Sequence, residues 1–402
     1  DEINNNKGGV IANLKSYFGQ CFPIGGLGGA PTTGKTGFAA FSHHVPENGN
    51  VFILFAPHVA ISEDGQVGKI LRQGQSHVTT SCGAVCGAYE CCRGRQVGQR
   101  EEFDSSDFQM HWLKQKLGPH VEGIAKSEEP MASLAYQAYE MVKEQINKVV
   151  DTNFTKDGKL ILFGGIQINM PGGYDDHFLP LMFDIRHKHD ISLDCLAKFK
   201  ETLELQEGDL SINDDPFNMA CFDTNFARLE WGPDVDSPCR EALRRNFRHA
   251  MPGKALCQRV LEFLRNEYDL VSSNTHFATS LCPDEINSRI GGLTELMKDY
   301  FGDLFCLGGI SGAPFAGKTG FKAYAQHIPD NGNVVLLFGP HVGISSDGKV
   351  GSVHRVGQTS HSSACGATIG AYNALCQPCG SEIDMNVRAS CHFDPNDFQM
   401  DW

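Results

Sequence analysis

The chain has 402 residues, of which 41% are hydrophobic and 20% are charged, and its formal net charge is −14. A chain of this size and composition can bury two ordinary cores, and its acidic balance excludes binding along a nucleic-acid backbone, which needs a basic face. Its longest apolar runs are far shorter than the about 20 residues of a membrane helix. The sequence therefore predicts two units, with no nucleic-acid partner and no membrane span.

Helices and strands alternate along the sequence, so we expect an α/β protein with a parallel or mixed sheet flanked by helices. The predicted strands are continuous apolar runs, which is typical of strands buried on both faces. A glycine-rich loop, a short helix and a Pro-Glu-Asn-Gly turn separate the first helix from the first strand. In chain order, we predict a helix at 11–18, a strand at 51–55, a helix at 130–150 and a strand at 159–169. A helical stretch follows from 237 to about 268, with a break near 252–253. The last predicted element is a strand at 274–281.

The sequence also repeats itself. The segment that opens at Asp1 returns at Asp284, and the segment that begins at Gly28 returns from Ser311, at a constant offset of 283 positions (284 − 1 and 311 − 28). A constant offset over a long stretch indicates a duplicated unit.

The acidic, low-pattern stretch 206–216 is the best candidate for a linker between the two units. It predicts a first repeat over residues 1–214 and a second over residues 215–402. The first lacks the counterpart of the segment before Asp284, and the second lacks the counterpart of residues 113–205. We interpret the chain as a window from a longer tandem protein.

The pattern G-x-x-x-x-G-K-[ST] of a phosphate-binding loop occurs twice, at 29–36 and at 312–319. Its context differs from that of a nucleotide site, because glycines interrupt the apolar residues before each loop and no continuous strand leads into it. No predicted strand ends in the acidic residue that would hold magnesium. A structural or pocket-lining loop is the favoured interpretation. A nucleotide site that depends on Lys35 and Lys318 stays open as the alternative.

Metal-ligand residue types recur in both copies. His58 in the first copy and His341 in the second follow corresponding apolar strands. Cys82 and Cys365 come 24 positions after them (82 − 58 and 365 − 341). Cys282 follows another predicted strand. The carboxyl ends of buried strands are where α/β sheets place functional groups. Two thiolates and one imidazole leave the fourth position of a zinc ion open for water, as in catalytic zinc sites.

A carboxylate and an arginine accompany these ligands in each copy. Asp284 and its counterpart Asp1 could orient a metal-bound water, with Arg355 and Arg72 as the charges that hold them ionised. A surface ion pair worth ~0–1 kcal/mol is an equally good interpretation of these four residues.

At these residues the sequence resembles a known family. The segments "CPDEI", "GGISGAPFAGKTGF", "HIPDNGNVVLLFGPHVGI", "HRVGQ", "ACGA" and "KLILFGGIQINMP" are similar to those of the limiting-CO2-inducible protein B family, which includes the theta-class carbonic anhydrases of algae. The resemblance spans most of both units. It implies a fold similar to that of beta-class carbonic anhydrases, with zinc held by Cys, His and Cys beside an Asp-Arg pair.

Carried over residue by residue, the resemblance implies one complete site and one partial site. In the second copy the zinc ligands are Cys282, His341 and Cys365, and the catalytic pair is Asp284 with Arg355. In the first copy the corresponding residues are His58, Cys82, Asp1 and Arg72.

The function implied is the zinc-dependent reversible hydration of carbon dioxide to bicarbonate, in which metal-bound hydroxide attacks CO2. The enzyme would be a carbonic anhydrase, a zinc lyase, acting in inorganic-carbon acquisition in a plastid. The resemblance further implies that the two repeats pack as a pseudo-dimer. A non-catalytic zinc-binding scaffold of the same fold and a nucleotide-binding protein stay open as alternatives.

Overall fold

The computed structural model describes residues 10–18, 22–42, 45–72, 75–94, 104, 106–151, 154, 157–171, 174–187, 192–204, 245–247, 249, 251–268, 275–281, 307–309, 315–326, 352–353, 359–360 and 362–363. Within these ranges, no helix is both long enough and apolar enough to cross a membrane.

Strands of both orientations build one central sheet. The strands of the described residues are β1 (Phe22–Pro23), β2 (Asn50–Ala56), β3 (His58–Ala60), β4 (Lys69–Ile70), β5 (Thr79–Thr80), β6 (Leu160–Asn169), β7 (His177–Arg186), β8 (Leu193–Asp194), β9 (Met251–Pro252), β10 (Thr275–Leu281), β11 (Ser352–Val353) and β12 (Ser362–Ser363). Strands β4 and β5, and strands β11 and β12, form two separate two-stranded ladders outside the central sheet. The order in the central sheet is β1, β10, β2, β6, β7, β8, while β3 pairs with β6 and β9 with β7. The pairs from β1 to β6 are parallel, and β7 is antiparallel to β6, β8 and β9. The sheet is therefore mixed.

Helices cover both faces of this sheet. The helices of the described residues are α1 (Val10–Phe18), α2 (Gly34–Ser42), α3 (Gly83–Arg93), α4 (Phe108–Leu117), α5 (Val121–Ala125), α6 (Pro130–Asp151), α7 (Leu196–Glu204), α8 (Gly253–Tyr268) and α9 (Gly317–Ala325). Side chains of α2 and α6 share a core with one face, and side chains of α1, α7 and α8 share a core with the other. A third core joins α3, α4 and α5 to α6.

The two central strands show why their sequences are apolar at every position. Every residue of β2 and of β6 is buried. Successive side chains of a strand point to opposite faces, so Val51, Ile53 and Phe55 enter one core while Phe52 and Leu54 enter the other. A strand that alternated apolar and polar residues would bury polar groups in one of these two cores.

The duplication is visible in the structure. Helix α9 has the bounds of α2 shifted by 283 positions (317 − 34 and 325 − 42), and each helix begins at a glycine in the left-handed region, Gly34 with φ 58° and Gly317 with φ 60°. The β11–β12 ladder likewise repeats the β4–β5 ladder, since Lys69 pairs with Thr80 and Ser352 with Ser363. The offset found in the sequence therefore also relates pieces of structure.

Most of the sequence-based elements are confirmed. The mixed α/β sheet flanked by helices is present, and α1, β2, α6, β6 and β10 match their predicted ranges to within one residue at each end. The break predicted near 252–253 is β9, which interrupts the helical stretch before α8. The start of that stretch at 237 and the linker at 206–216 lie outside the described residues. The division at 214 and 215 stays a prediction.

The segment just before the repeated sequence that opens at Asp284 packs against the sheet of the first repeat. Strand β10 lies between β1 and β2, β9 pairs with β7, and α8 shares a core with α1 and α7. The register of β10 on β2 runs from Thr275 opposite Asn50 to Leu281 opposite Ala56. Both strands therefore end at the same edge of the sheet.

Candidate metal and catalytic site

The carboxyl ends of β2 and β6 form the floor of the candidate site. Strand β2 ends at Ala56, and after Pro57 the chain continues as β3, which pairs with the last residues of β6. The glycine-rich loop lies directly on this turn. Gly29 has φ 77°, and a Cβ there would come within 2.2 Å of the carbonyl oxygen of Ala56. Only glycine fits that contact, which agrees with a structural role for the loop.

A buried chain of hydrogen bonds orients His58, which is 4% exposed. Its Nδ1 lies 3.0 Å from Oδ1 of Asn169, and Nδ2 of Asn169 donates to Oδ2 of Asp176 at 3.1 Å. The other carboxylate oxygen of Asp176 accepts the backbone N–H of Met170 at 3.0 Å. The carboxylate thus fixes which end of the Asn169 amide faces the imidazole.

This arrangement sets the tautomer of His58. Because a carbonyl oxygen only accepts, Nδ1 of His58 carries the hydrogen and Nε2 carries the lone pair. A ring nitrogen that donates to an amide or a carboxylate while the other binds metal is the usual arrangement of metal-ligating histidines. The hydrogen bond to Asn169 therefore leaves Nε2 of His58 suited to bind a metal ion.

Cys82 lies at the start of α3 in a strained conformation. Its backbone angles, φ 44° and ψ 62°, place it in the left-handed region, alone among the non-glycine residues that the structure describes. Such a conformation costs about 1–3 kcal/mol and persists where the surroundings impose it, often at functional sites. The hydroxyl of Ser81 accepts the backbone N–H of Ala60 at 2.9 Å, which joins this turn to β3.

His58 and Cys82 meet at one cavity. It has a volume of about 10 Å³, roughly the space that one water molecule needs. Apart from these two residues and Ser81, its lining is largely apolar or small, with contributions from α3 and from Met131, Leu134, Ala135 and Ala138 of α6. The cavity therefore brings together an imidazole and a thiol, two of the donor types that zinc prefers.

Cys86, one turn after Cys82, also lines the cavity but has a different character. Its thiol donates to the carbonyl oxygen of Ser81 at 3.2 Å, and burial raises the pKa of the Cys86 thiol to about 12. A neutral thiol is a poor metal ligand. In the second repeat an isoleucine, Ile369, stands at the corresponding position.

Arg72 is buried, with 6% of its surface exposed, although surface pairing was one of the two interpretations of its sequence position. It follows β4, and its Nη1 donates to Oγ1 of Thr79 on β5 at 2.5 Å. Strand β5 leads directly into Ser81 and Cys82. A buried guanidinium is thus placed on the same hairpin that delivers the cysteine.

Sequence reasoning missed three polar residues of the site, Gln167, Asn169 and Asp176. All are buried, and the register of β6 places Gln167 opposite His58. Within the described part of the chain, neither polar atom of the Gln167 amide has a hydrogen-bond partner. A signal was available, because Gln and Asn interrupt the apolar run of β6 only at its carboxyl end.

The remaining predicted site residues lie outside the described residues: Asp1, Cys282, Asp284, His341, Arg355 and Cys365. Of the first-copy set, the structure therefore describes His58, Arg72 and Cys82. No group of three or more His, Cys, Asp and Glu side chains in the described ranges is arranged to hold a metal ion.

The fold and the site define a mixed α/β protein of duplicated units, with an imidazole and a thiol at the carboxyl edge of its sheet. The chain belongs to the family of limiting CO2-inducible proteins B/C beta carbonic anhydrases, whose sequence profile matches residues 1–187 and 250–402. The match in two regions agrees with the duplication, and it confirms the resemblance seen in the sequence.

Solved structures of the same kind are similar to this chain. The crystal structure of PtLCIB4, a homolog of the limiting CO2-inducible protein LCIB, has a TM-score of 0.44 and 26% identity over 48% of this chain and 80% of that chain. The crystal structure of LCIB itself has a TM-score of 0.36 and 18% identity over 48% of this chain and 78% of that chain. The sequence matches none of the curated proteins with which it was compared.

Proposed function

We propose that this protein catalyses the zinc-dependent reversible hydration of carbon dioxide to bicarbonate. Its family is that of beta carbonic anhydrases. The observation that carries the proposal is the convergence of His58, oriented by Asn169 and Asp176, with Cys82 at one small cavity. This is the donor chemistry that zinc prefers, namely neutral imidazole and thiolate.

The protein side chains supply the binding and the orientation. His58 offers the lone pair of Nε2, and Cys82 offers a thiolate at the first turn of α3, where the positive end of the helix dipole favours a negative charge. Bound zinc supplies a Lewis acid that makes water a nucleophile near neutral pH. The lining of the cavity is largely apolar, which agrees with an uncharged substrate such as CO2.

The register of β10 supports the proposal of a third ligand. Leu281 pairs with Ala56 at the end of β2, and Cys282 is the next residue in the chain. Neighbouring strands lie about 4.8 Å apart and consecutive Cα atoms about 3.8 Å apart. Cys282 is therefore proposed as the ligand that joins His58 and Cys82, a different grouping from the second-copy set implied by the resemblance.

The catalytic pair belongs to the same proposal. Asp284 comes two residues after Cys282, and Arg72 is the buried cation on the hairpin that carries Cys82. In this grouping Asp284 accepts the hydrogen bond of the reacting water and Arg72 keeps the carboxylate ionised. The pairs Asp284 with Arg355 and Asp1 with Arg72 are the groupings that the resemblance implies.

Zinc content distinguishes the two groupings. We would load the purified chain with zinc, remove loosely bound metal, and measure zinc per chain by mass spectrometry in Cys82→Ser, Cys282→Ser and Cys365→Ser. The proposed grouping predicts that Cys82→Ser and Cys282→Ser lose the same zinc ion while Cys365→Ser keeps it. Equal losses in Cys282→Ser and Cys365→Ser, with Cys82→Ser unchanged, would assign Cys282 to the second copy instead.

A further inference from the structure

A buried amide lies beside His58 without a hydrogen-bond partner. Gln167 is 2% exposed, and among the residues that the structure describes neither its Oε1 nor its Nε2 has a partner. Its backbone N–H is already used, since it donates to the carbonyl oxygen of Pro57 at 3.0 Å. A buried polar group without a partner destabilises a fold. Its presence in a native structure therefore calls for a partner of another kind, such as a ligand.

The strand register places this amide on the same face of the sheet as the imidazole. Gln167 on β6 is paired with His58 on β3, and neighbouring strands are about 4.8 Å apart. Ile166, Ile168 and Val59 all enter the core shared with α2 and α6. Because successive side chains of a strand alternate between faces, Gln167 and His58 both point to the opposite face.

The other neighbours of Gln167 on that face leave its amide unused. On β7 the residue opposite Gln167 is Phe178. The ring of Phe178 lies so close to β6 that a Cβ at Gly165 would come within 2.4 Å of its Cε1. The amide of Asn169, two residues further along β6, is already engaged at both ends. The Gln167 amide thus lies between an aromatic ring on β7 and the His58 imidazole on β3.

The two ends of an amide select a ligand that has both a donor and an acceptor. Nε2 of Gln167 donates and Oε1 accepts. Bicarbonate offers the complementary pair, because its hydroxyl donates and its charged oxygens accept. Carbon dioxide has no hydrogen to donate, so it leaves Oε1 unsatisfied. A site that binds a ligand hydroxyl by hydrogen bonds discriminates strongly against a ligand that lacks one.

We propose that Gln167 binds bicarbonate beside His58 and distinguishes it from CO2. Nε2 donates to a charged oxygen of bicarbonate, and Oε1 accepts the hydrogen of its hydroxyl. This role rests on the function proposed above, in which bicarbonate is the product of hydration and the substrate of the reverse reaction. Gln167 is then a specificity-determining residue of that reaction.

Urea unfolding of the zinc-loaded chain tests bicarbonate binding without measuring turnover. A ligand that binds the folded chain stabilises it, so bicarbonate should raise the urea midpoint of the native chain above its value in chloride of equal ionic strength. Gln167→Met keeps an unbranched side chain of similar length and removes the amide. It should abolish the bicarbonate effect. Without bicarbonate it should raise the midpoint, because an apolar group replaces an unpaired buried amide.

Gln109→Met is the matched control. Gln109 is 3% exposed, but its amide accepts the backbone N–H of Leu27 at 2.7 Å and donates to the carbonyl oxygen of Phe315 at 2.5 Å. Removing this paired amide leaves two backbone groups unsatisfied, so the urea midpoint should fall. The bicarbonate effect should stay as in the native chain.

Product inhibition measures the same contact during turnover. In stopped-flow CO2 hydration, Gln167→Met should raise the bicarbonate concentration needed for half-inhibition about tenfold, as expected for losing hydrogen bonds to a charged ligand. Gln109→Met should leave that concentration unchanged.

The outcomes separate the role of Gln167 from the proposed function. An inactive native chain that bicarbonate still stabilises, with the effect lost in Gln167→Met, contradicts the enzyme and supports the binding site. An active native chain, with bicarbonate stabilisation and inhibition unchanged in Gln167→Met, supports the enzyme and overturns the role of Gln167; the amide then binds only water. A lower urea midpoint of Gln167→Met, or its failure to fold, also overturns that role, since the amide then has a partner within the protein.

Discussion

Two polar arrangements in this molecule differ in how well a short sequence motif indicates what the residues do. The Gly-Lys-Thr loop matches a known pattern at every position, yet at α9 its donors bind Asp107 and Ser106 of the other repeat. His58 and Cys82 match no short motif, yet they line one cavity. A short pattern describes a local backbone conformation, whereas a reactive site depends on which distant segments the fold brings together.

The two arrangements also differ in how their polar groups are used. At the junction of Asp107 with Thr319 of α9, both oxygens of Asp107 accept hydrogen bonds from the helix that they cap. The hydrogen bonds from Asp176 through Asn169 end at Nδ1 of the His58 imidazole. They thereby leave the lone pair on Nε2. The first arrangement joins the two repeats, and the second orients the His58 imidazole.

The largest expected effect comes from removing the hydrogen bonds that orient His58. In Asn169→Ala the imidazole loses the acceptor that fixes its tautomer, and zinc affinity should fall by about 10–100-fold. A competition titration against a chromophoric chelator measures this change. Asp176→Asn should weaken zinc binding in the same direction, because it removes one of the acceptors that orient the amide. Unchanged zinc affinity in both variants would show that the hydrogen bonds of Asn169 and Asp176 play no part in metal binding.

The junction at α9 should show a smaller effect. Asp107→Ala removes the carboxylate that receives both donors of Thr319, and we expect the free energy of unfolding to fall by about 1–2 kcal/mol, as for other helix caps. Urea unfolding measures it. Lys318→Ala is the matched control, since it breaks only the exposed pair with Asp104 at 3.2 Å, and such pairs contribute about 0–1 kcal/mol. Equal effects of the two substitutions would contradict the account of the junction.

The sequence predicted the sheet better than it predicted the site. Continuous apolar runs were enough to place β2 and β6, because each is buried on both faces. Asn169 and Asp176 were missed, because the role of each depends on a hydrogen bond to a residue on another element. The pairing of β10 with β2 could not be predicted either, since nothing in the sequence states which strands are neighbours. The plastid location stays a prediction from the resemblance alone.

The smallest expected effect concerns the pH dependence of the junction. Hydrogen bonds from the Ser106 hydroxyl and backbone, followed by the ammonium of Lys318, lower the pKa of Asp104 to about 2 from its ordinary value of 3.8. A lowered carboxyl pKa means that the contact stabilises the fold above pH 3.8, and that this contribution is lost as the pH falls towards 2. In a carboxyl titration by NMR, Ser106→Ala should raise this pKa more than Lys318→Ala does. The reverse order would show that the ion pair dominates.

The most direct test of the proposed function is stopped-flow CO2 hydration by the zinc-loaded chain and by Cys82→Ser, with zinc measured in the same samples. The account predicts that the native chain binds zinc and hydrates CO2 well above the uncatalysed rate, and that Cys82→Ser loses the zinc of this site together with its activity. A native chain that retains zinc yet hydrates CO2 only at the uncatalysed rate would contradict the enzyme, and would identify the protein as a zinc-binding scaffold.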